Sequence, residues 1–204
     1  MLEELLELAL ERACELGAQY ADVRGQGVRS ESISVENRAL RSYGSSATNG
    51  IGVRVLLAGS WGFSSTTSLD KKSVLECVEK AVSIARASRS RREVELAEVE
   101  VVEGEFRSPC AEPPLEVSPE EKLELLMDIN KASLSVEGVK NARTSLGAIE
   151  EEVLFMSSEG AKLSLRRVMV GIRYSSTAQH AGRMEAAWDS RSACAGWEFV
   201  KEVD

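Results

Sequence analysis

Residues Asn49 to Thr66 read NGIGVRVLLAGSWGFSST, a stretch that combines period-two alternation, a turn signal and two aromatic residues. Ile51, Val53, Val55 and Leu57 share one parity, so a strand here sends all four to one side and Gly52, Arg54 and Leu56 to the other. Gly59-Ser60 reads as the turn, because a glycine-first two-residue loop suits a type II′ hairpin. Trp61-Gly62-Phe63 then returns antiparallel, and its two rings are expected in the core. Arg54, an arginine amid apolar neighbours, is expected to snorkel or to pair with a carboxylate of the fold. The stretch reads as a buried hairpin.

Upstream of it, Leu2, Leu5, Leu6, Ala9, Ala13 and Leu16 recur at helical spacing, and Gly17 follows where a C-terminal glycine would close the helix. Tyr20 to Val28 and Ser30 to Glu36 read as two short strands, with Asn37-Arg38 as a turn. Ser42 to Asn49 is polar and is expected to be a mobile loop. Downstream, Asp70 is the N-cap of a helix whose apolar face is Val74, Leu75, Val78, Ala81, Val82 and Ala85. Arg86, Arg89, Arg91 and Arg92 complement the dipole at its end. Val94 to Phe106 alternates Glu with Val and Leu, which predicts a strand with one wet face.

All four prolines, Pro109, Pro113, Pro114 and Pro119, lie within eleven residues of one another and mark a linker over 107–118. Ser118-Pro119-Glu120-Glu121 combines an N-cap serine, a first-turn proline and a capping-box glutamate, so a helix starts there, with Leu123, Leu126, Met127 and Leu134 on its apolar face. A shift of 121 residues lays Gly17 on Gly138, Leu5 on Leu126 and Ile51 on Ile172. The strand carrying Val168, Val170, Ile172 and Tyr174 pairs, across a turn near His180, with one carrying Met184, Ala186 and Trp188. The predicted fold is α+β: antiparallel sheet with helices on one face, in two similar helix-plus-meander halves. These are 1–106, with the hairpin, and 119–204, joined by the linker.

Acidic residues outnumber basic ones, 33 to 25, and the net charge of −8 argues against a nucleic-acid surface, which needs clustered Lys and Arg. No apolar run approaches the ~20 residues that span a bilayer, and Met1 leads into Leu2-Glu3-Glu4-Leu5 with no basic region or signal core; a cytoplasmic location is the expectation. Cys14, Cys77, Cys110 and Cys194 form no C-x-x-C pair and are expected as free thiols. His180 is the one histidine. It reads as a surface turn residue.

Gly50, Gly52, Arg54, Gly59, Trp61, Gly62, Phe63 and Thr66 resemble the G-G-x-R-x(4)-G-x-W-G-F-x-x-T signature of the TldD/PmbA proteins, described as modulators of DNA gyrase and as metallopeptidases. The resemblance continues upstream through Gly17-Ala18 and Tyr20-Ala21-Asp22-Val23-Arg24. For the eight signature residues the reading is structural. The resemblance implies an N-terminal domain that pairs with another family subunit, as homo- or heterodimer, and walls a cavity in which unstructured peptides are cut. It also implies a zinc held by a His-Glu-x-x-x-His helix. This sequence has no such motif and one histidine, so no catalytic or metal-binding residue is assigned, and zinc is expected in a C-terminal half beyond these residues. The Glu150-Glu151-Glu152 run is expected on a solvated face. Three readings stay open: part of a metallopeptidase, a noncatalytic PmbA-like partner subunit, or a stand-alone peptide-binding module.

Overall fold

The computed structural model describes residues 1–88, 94 and 96–202. Among the described residues the elements run α1 (Leu2–Glu15), β1 (Tyr20–Glu36), β2 (Ala39–Leu57), β3 (Ser60–Thr66), α2 (Lys71–Ala87), β4 (Glu103–Arg107), α3 (Pro119–Ser135), β5 (Val139–Ser157), β6 (Lys162–His180), β7 (Arg183–Ala193) and α4 (Glu198–Lys201). The seven strands form an antiparallel sheet ordered β3-β2-β1-β5-β6-β4, with β7 paired to β6. The fold is α+β, and the succession of one helix and three strands occurs twice, as α1-β1-β2-β3 and α3-β5-β6-β7. Each of two compact units draws on three segments: Met1–Val28, Thr48–Phe106 and Glu151–Arg166 in one, and Arg29–Ala47, Arg107–Glu150 and Arg167–Asp204 in the other. Strands β1, β2, β5 and β6 therefore each begin in one unit and end in the other.

The first unit is built on the hairpin. Ile51, Val53 and Val55 of β2 are buried in one core with Ala21 and Val23 of β1, Leu5, Leu6, Ala9 and Ala13 of α1, and Val74, Cys77, Val78, Ala81, Val82 and Ala85 of α2. Helix α1 closes as the glycine predicted, with Gly17 at φ 87° and the Gly17 and Ala18 N–H groups donating to the Cys14 and Ala13 carbonyls. Asp70 caps α2 by accepting from the Ser73 N–H at 2.9 Å. Arg12 joins the helices, donating to Glu15 and Glu79, while Arg86 donates to the Leu16 carbonyl. Arg89, Arg91 and Arg92 lie outside the described residues.

Two expectations for the hairpin are corrected. Leu57 pairs with Ser60, so the turn is Ala58-Gly59, and both residues have positive φ, 49° and 69°; this is the type I′ sense, not a Gly59-Ser60 type II′ loop. The shift follows from the return strand, which sends Ser60, Gly62 and Ser64 toward α2 and so sends Trp61 and Phe63 outward. Phe63 is 59% exposed, where the sequence suggested a core residue. The reason is space. A Cβ on Gly62 would overlap the Ala81 carbonyl oxygen and stand 2.7 Å from the Ala85 amide nitrogen, so the helix backbone lies against bare strand backbone.

Other local expectations also give way. The two short strands over 20–36 are one strand, β1. Ser42 to Asn49 is not a loop but part of β2; its side chains are exposed, yet its main chain is held by sheet pairing. Of the strand expected over 94–106, the described residues form strand only at β4, Glu103–Arg107, which is exposed throughout, as are Val99, Val101 and Val102; Glu93 and Glu95 lie outside the described residues. The Glu run is solvated only at Glu152, which is exposed; Glu150 and Glu151 are each 6% exposed and engage Arg29 and Gln26 respectively.

The second unit has its own core, formed by Ile33, Val35, Leu126, Leu146, Ala148, Val170, Ile172, Trp197 and Val200, with Val117 at its margin. Ser118 caps α3 by accepting from the Glu121 N–H at 3.1 Å. Two polar residues on the same helix go inward, which apolar periodicity does not predict. Lys122 is fully buried and its ammonium donates to Glu31 at 2.7 Å. Asn130, also fully buried, donates to the Ala142 carbonyl and accepts from the Arg38 N–H, anchoring the Asn37-Arg38 turn, whose φ values of 49° and 65° are left-handed. Within the Pro-rich stretch, Ala111 and Glu112 donate their N–H groups to the Glu198 carboxylate, as does Gly196. Burial pushes that carboxyl upward, but backbone donors outweigh it and hold it down at about 2.

Two outcomes follow. Gly62→Ala should destabilise the protein by roughly 3 kcal/mol or more, because the overlap is with helix backbone that can yield only by moving α2. Urea denaturation measures this; a loss under about 1 kcal/mol would contradict the close packing. Glu31→Gln should cost about 3–5 kcal/mol by stranding the Lys122 ammonium, whereas combining it with Lys122→Met, which removes the stranded charge, should recover most of the loss. Thermal melts of the single and double variants separate the two effects.

Candidate binding groove

On the first unit's sheet, the face turned away from α1 and α2 presents the other parity of each strand. Strand β1 contributes Asp22, Arg24 and Gln26; β2 contributes Gly50, Gly52 and Arg54; β3 contributes Phe63 and Ser65. Together with Thr66 and Phe155 they line an open groove of about 1000 Å³. Its floor is backbone at two places. A Cβ on Gly50 would stand 2.9 Å from the Thr66 carbonyl oxygen, and one on Gly52 would stand 3.3 Å from the Phe63 ring, which lies against the bare strand there.

Arg54 fixes one end of this face. Its Nε and Nη2 donate to the same Asp22 oxygen, Oδ2, at 2.9 and 2.6 Å, and its guanidinium sits 4.7 Å from the centre of the Trp61 ring. Tyr20 meets Trp61 edge-on at 5.8 Å. Asp22 is nearly buried, and its bond to Arg54 holds the guanidinium pKa above the usual arginine value. The Tyr20 phenol is raised in turn, first by burial and then by the Asp22 charge. Further along, Gln26 donates to Glu151 at 2.6 Å and Arg24 lies 3.8 Å from the same carboxylate.

The eight signature residues thus divide by role. Gly50, Gly52, Arg54, Phe63 and Thr66 line the groove, Trp61 lies beneath Arg54, Gly59 makes the turn, and Gly62 faces α2 on the opposite side. Asp22, Gln26, Glu151 and Phe155 belong to the face without having been singled out from the sequence as site residues. In the sequence Asp22 stood out only within the Tyr20-Ala21-Asp22-Val23-Arg24 resemblance, and Glu151 only within an acidic run expected on a solvated face.

The described residues do not offer a zinc site. Among them no three His, Cys, Asp or Glu side chains converge as metal ligands, and His180 is exposed at the end of β6. The four cysteines are unbridged, with Cys77 buried and its thiol pushed up by that burial. No helix is long and apolar enough to cross a membrane, again among the described residues.

Residues 21–85 match the family model for PmbA/TldA metallopeptidase domain 1, and residues 112–203 match the model for the central domain of the same proteins. The chain belongs to the PmbA/TldD family. It is 29% identical over 187 residues to a metalloprotease of Methanothermobacter thermautotrophicus, an alignment covering 91% of this chain and 40% of that protein. In fold it matches a Thermotoga maritima protein named as a modulator of a DNA gyrase, with TM-score 0.83 at 15% identity, over 100% of this chain and 45% of that one. It also matches TldE from Thermococcus kodakarensis, with TM-score 0.72 at 16% identity, over 93% and 43%. The chain therefore spans less than half the length of these PmbA/TldD relatives.

The Asp22–Arg54 contact, which joins β1 to β2 on the groove face, is directly testable. Arg54→Ala should cost roughly 1–2 kcal/mol, a value kept low because the guanidinium is half exposed and solvent screens it. In an Asp22→Asn background the same substitution should cost distinctly less. A double-mutant cycle with coupling near zero would show that Arg54 acts through the Trp61 ring alone.

Proposed function

We propose that this chain is a noncatalytic N-terminal region of a TldD/PmbA-type zinc metallopeptidase, contributing subunit pairing and part of the wall of a cavity that admits unstructured peptides. The observation that carries the reading is the groove. It is large enough for several residues of extended chain, and the Phe63 ring, resting against the bare strand at Gly52, stands exposed beside it for an apolar side chain. The charged groups of the groove are engaged within the fold, Arg54 with Asp22 and Arg24 beside Glu151, so the surface offers a peptide chiefly backbone and the Phe63 and Phe155 rings and discriminates weakly among sequences, as a peptidase for unfolded chains requires. Strand β3 ends the sheet order, and an extended peptide laid along it could add main-chain hydrogen bonds.

In this reading zinc and water-activating chemistry reside outside residues 1–204, the location is cytoplasmic, and neither nucleic acid nor membrane is a partner. A PmbA-like noncatalytic subunit or a stand-alone peptide-binding module would use the same groove. Those alternatives separate from the main reading at the coding sequence beyond Asp204, which continues into a His-Glu-x-x-x-His segment only in a catalytic chain.

The purified 204-residue chain should hold less than stoichiometric zinc after dialysis and show no chelator-sensitive peptide hydrolysis. In the assembled enzyme, Gly52→Val and Phe63→Ala should each raise KM for an unstructured peptide about tenfold, worth ~1.4 kcal/mol, while leaving kcat within about twofold. Bound zinc in this chain alone, or an unchanged KM in both correctly folded variants, would overturn the reading.

A further inference from the structure

The second unit carries a cleft of a different character. Arg143 and Ser145 of β5 and Arg173 and Ser175 of β6 together line a cavity of about 380 Å³. Arg143 and Ser145 are two residues apart on one strand, as are Arg173 and Ser175 on the other, so each pair points to one face. Ser145 and Arg173 also border a neighbouring depression of about 390 Å³ whose wall includes Ser32, Ser42, Ser190 and Ser192. Neither hollow has a carboxylate in its lining, in a chain with 33 acidic residues.

The two guanidiniums are left without carboxylate partners among the described residues. Arg143 donates through Nε to the Ser34 hydroxyl at 3.2 Å, and Arg173 stacks on the Trp188 ring at 5.4 Å. The carboxylates of the surrounding strands are already engaged. Glu36, whose pKa is lowered first by its bond from Asn141, then by Arg41 and more weakly by the Arg143 charge, has both oxygens occupied by Asn141 and Arg41. Asp189 accepts from the Ser190 N–H and from Tyr174 and pairs with Arg191. Two like charges facing one cleft repel each other, and arginine's planar fork of donors matches an oxyanion better than it matches water.

We propose that the Arg143–Arg173 cleft is an oxyanion-binding site, in which the two guanidiniums and the Ser145 and Ser175 hydroxyls receive the oxygens of a carboxylate or a phosphate. Stacking on Trp188 holds the Arg173 plane while leaving its N–H groups available. The site is independent of the groove and of the peptidase reading. A carboxylate source would be an acidic side chain or a chain terminus, and a phosphate source a free or esterified phosphate.

The test uses the whole chain and two probes, acetate and inorganic phosphate, followed through the Arg Nε–H resonances during titration at low salt. Saturable shifts confined to Arg143 and Arg173 are expected with at least one probe, and phosphate-only or acetate-only saturation assigns the source. Arg143→Gln and Arg173→Gln should each weaken binding about tenfold or more, equivalent to ~1.4 kcal/mol. Arg183→Gln, at the exposed β6–β7 turn, should leave it unchanged, and added sodium chloride should weaken it. Because all three positions are exposed, the variants should melt with the parent protein. Absence of saturation with both probes, or equal binding by all variants, would overturn the proposal.

Discussion

The approach of α2 to β3 at Gly62 governs the first unit. Strand and helix normally meet through side chains, but here Gly62 confronts Ala81 and Ala85, and the two backbones come together with no Cβ between them on the strand side. Once that contact is made, the parity of β3 follows, since Ser60, Gly62 and Ser64 must face the helix and Trp61, Phe63 and Ser65 must face away. The turn follows as well: Ser60 opposite Leu57 requires a two-residue loop at Ala58-Gly59. Removing this contact would free the hairpin to roll and would take its outward face with it.

That outward face owes its character to what the inward one excludes. Aromatic residues barred from beneath α2 stand on the open side, where Trp61 supports the Arg54 guanidinium and Phe63 covers Gly52. The strands lose glycine backbone entropy and aromatic burial in making this surface, and core packing on the other side offsets the loss. The groove is the feature that the present arrangement provides in return.

The second unit is organised around buried polarity. Lys122 and Asn130, both fully buried on α3, reach Glu31 and the Asn37-Arg38 turn, so the helix is keyed to the β1–β2 hairpin by hydrogen bonds with one geometry. Apolar contacts alone would tolerate a shift of a turn along the helix; an ammonium that must find its carboxylate does not. Glu198 does similar service for the Pro-rich stretch, binding two of its amides to the approach of α4.

Much was legible in the sequence because it is encoded locally. The α1 ending at Gly17, the Asp70 and Ser118 caps, the Asn37-Arg38 turn, the alternation of Ile51, Val53 and Val55, and the repeated helix-and-strands order all rest on neighbours a few residues apart. The family signature was legible for the same reason, as an ordered local string. What only tertiary structure decided was which side of β3 is inside, that polar residues 42–49 continue a strand, that Glu150 and Glu151 are buried, and that long strands pass from one compact unit to the other. These depend on what arrives from elsewhere in the chain. An aromatic ring goes inward by default, and here a helix backbone lying where the ring would sit turns it out; that helix begins at Lys71, after the hairpin is complete, and within Asn49 to Thr66 only the small residues Ser60, Gly62 and Ser64 make room for it.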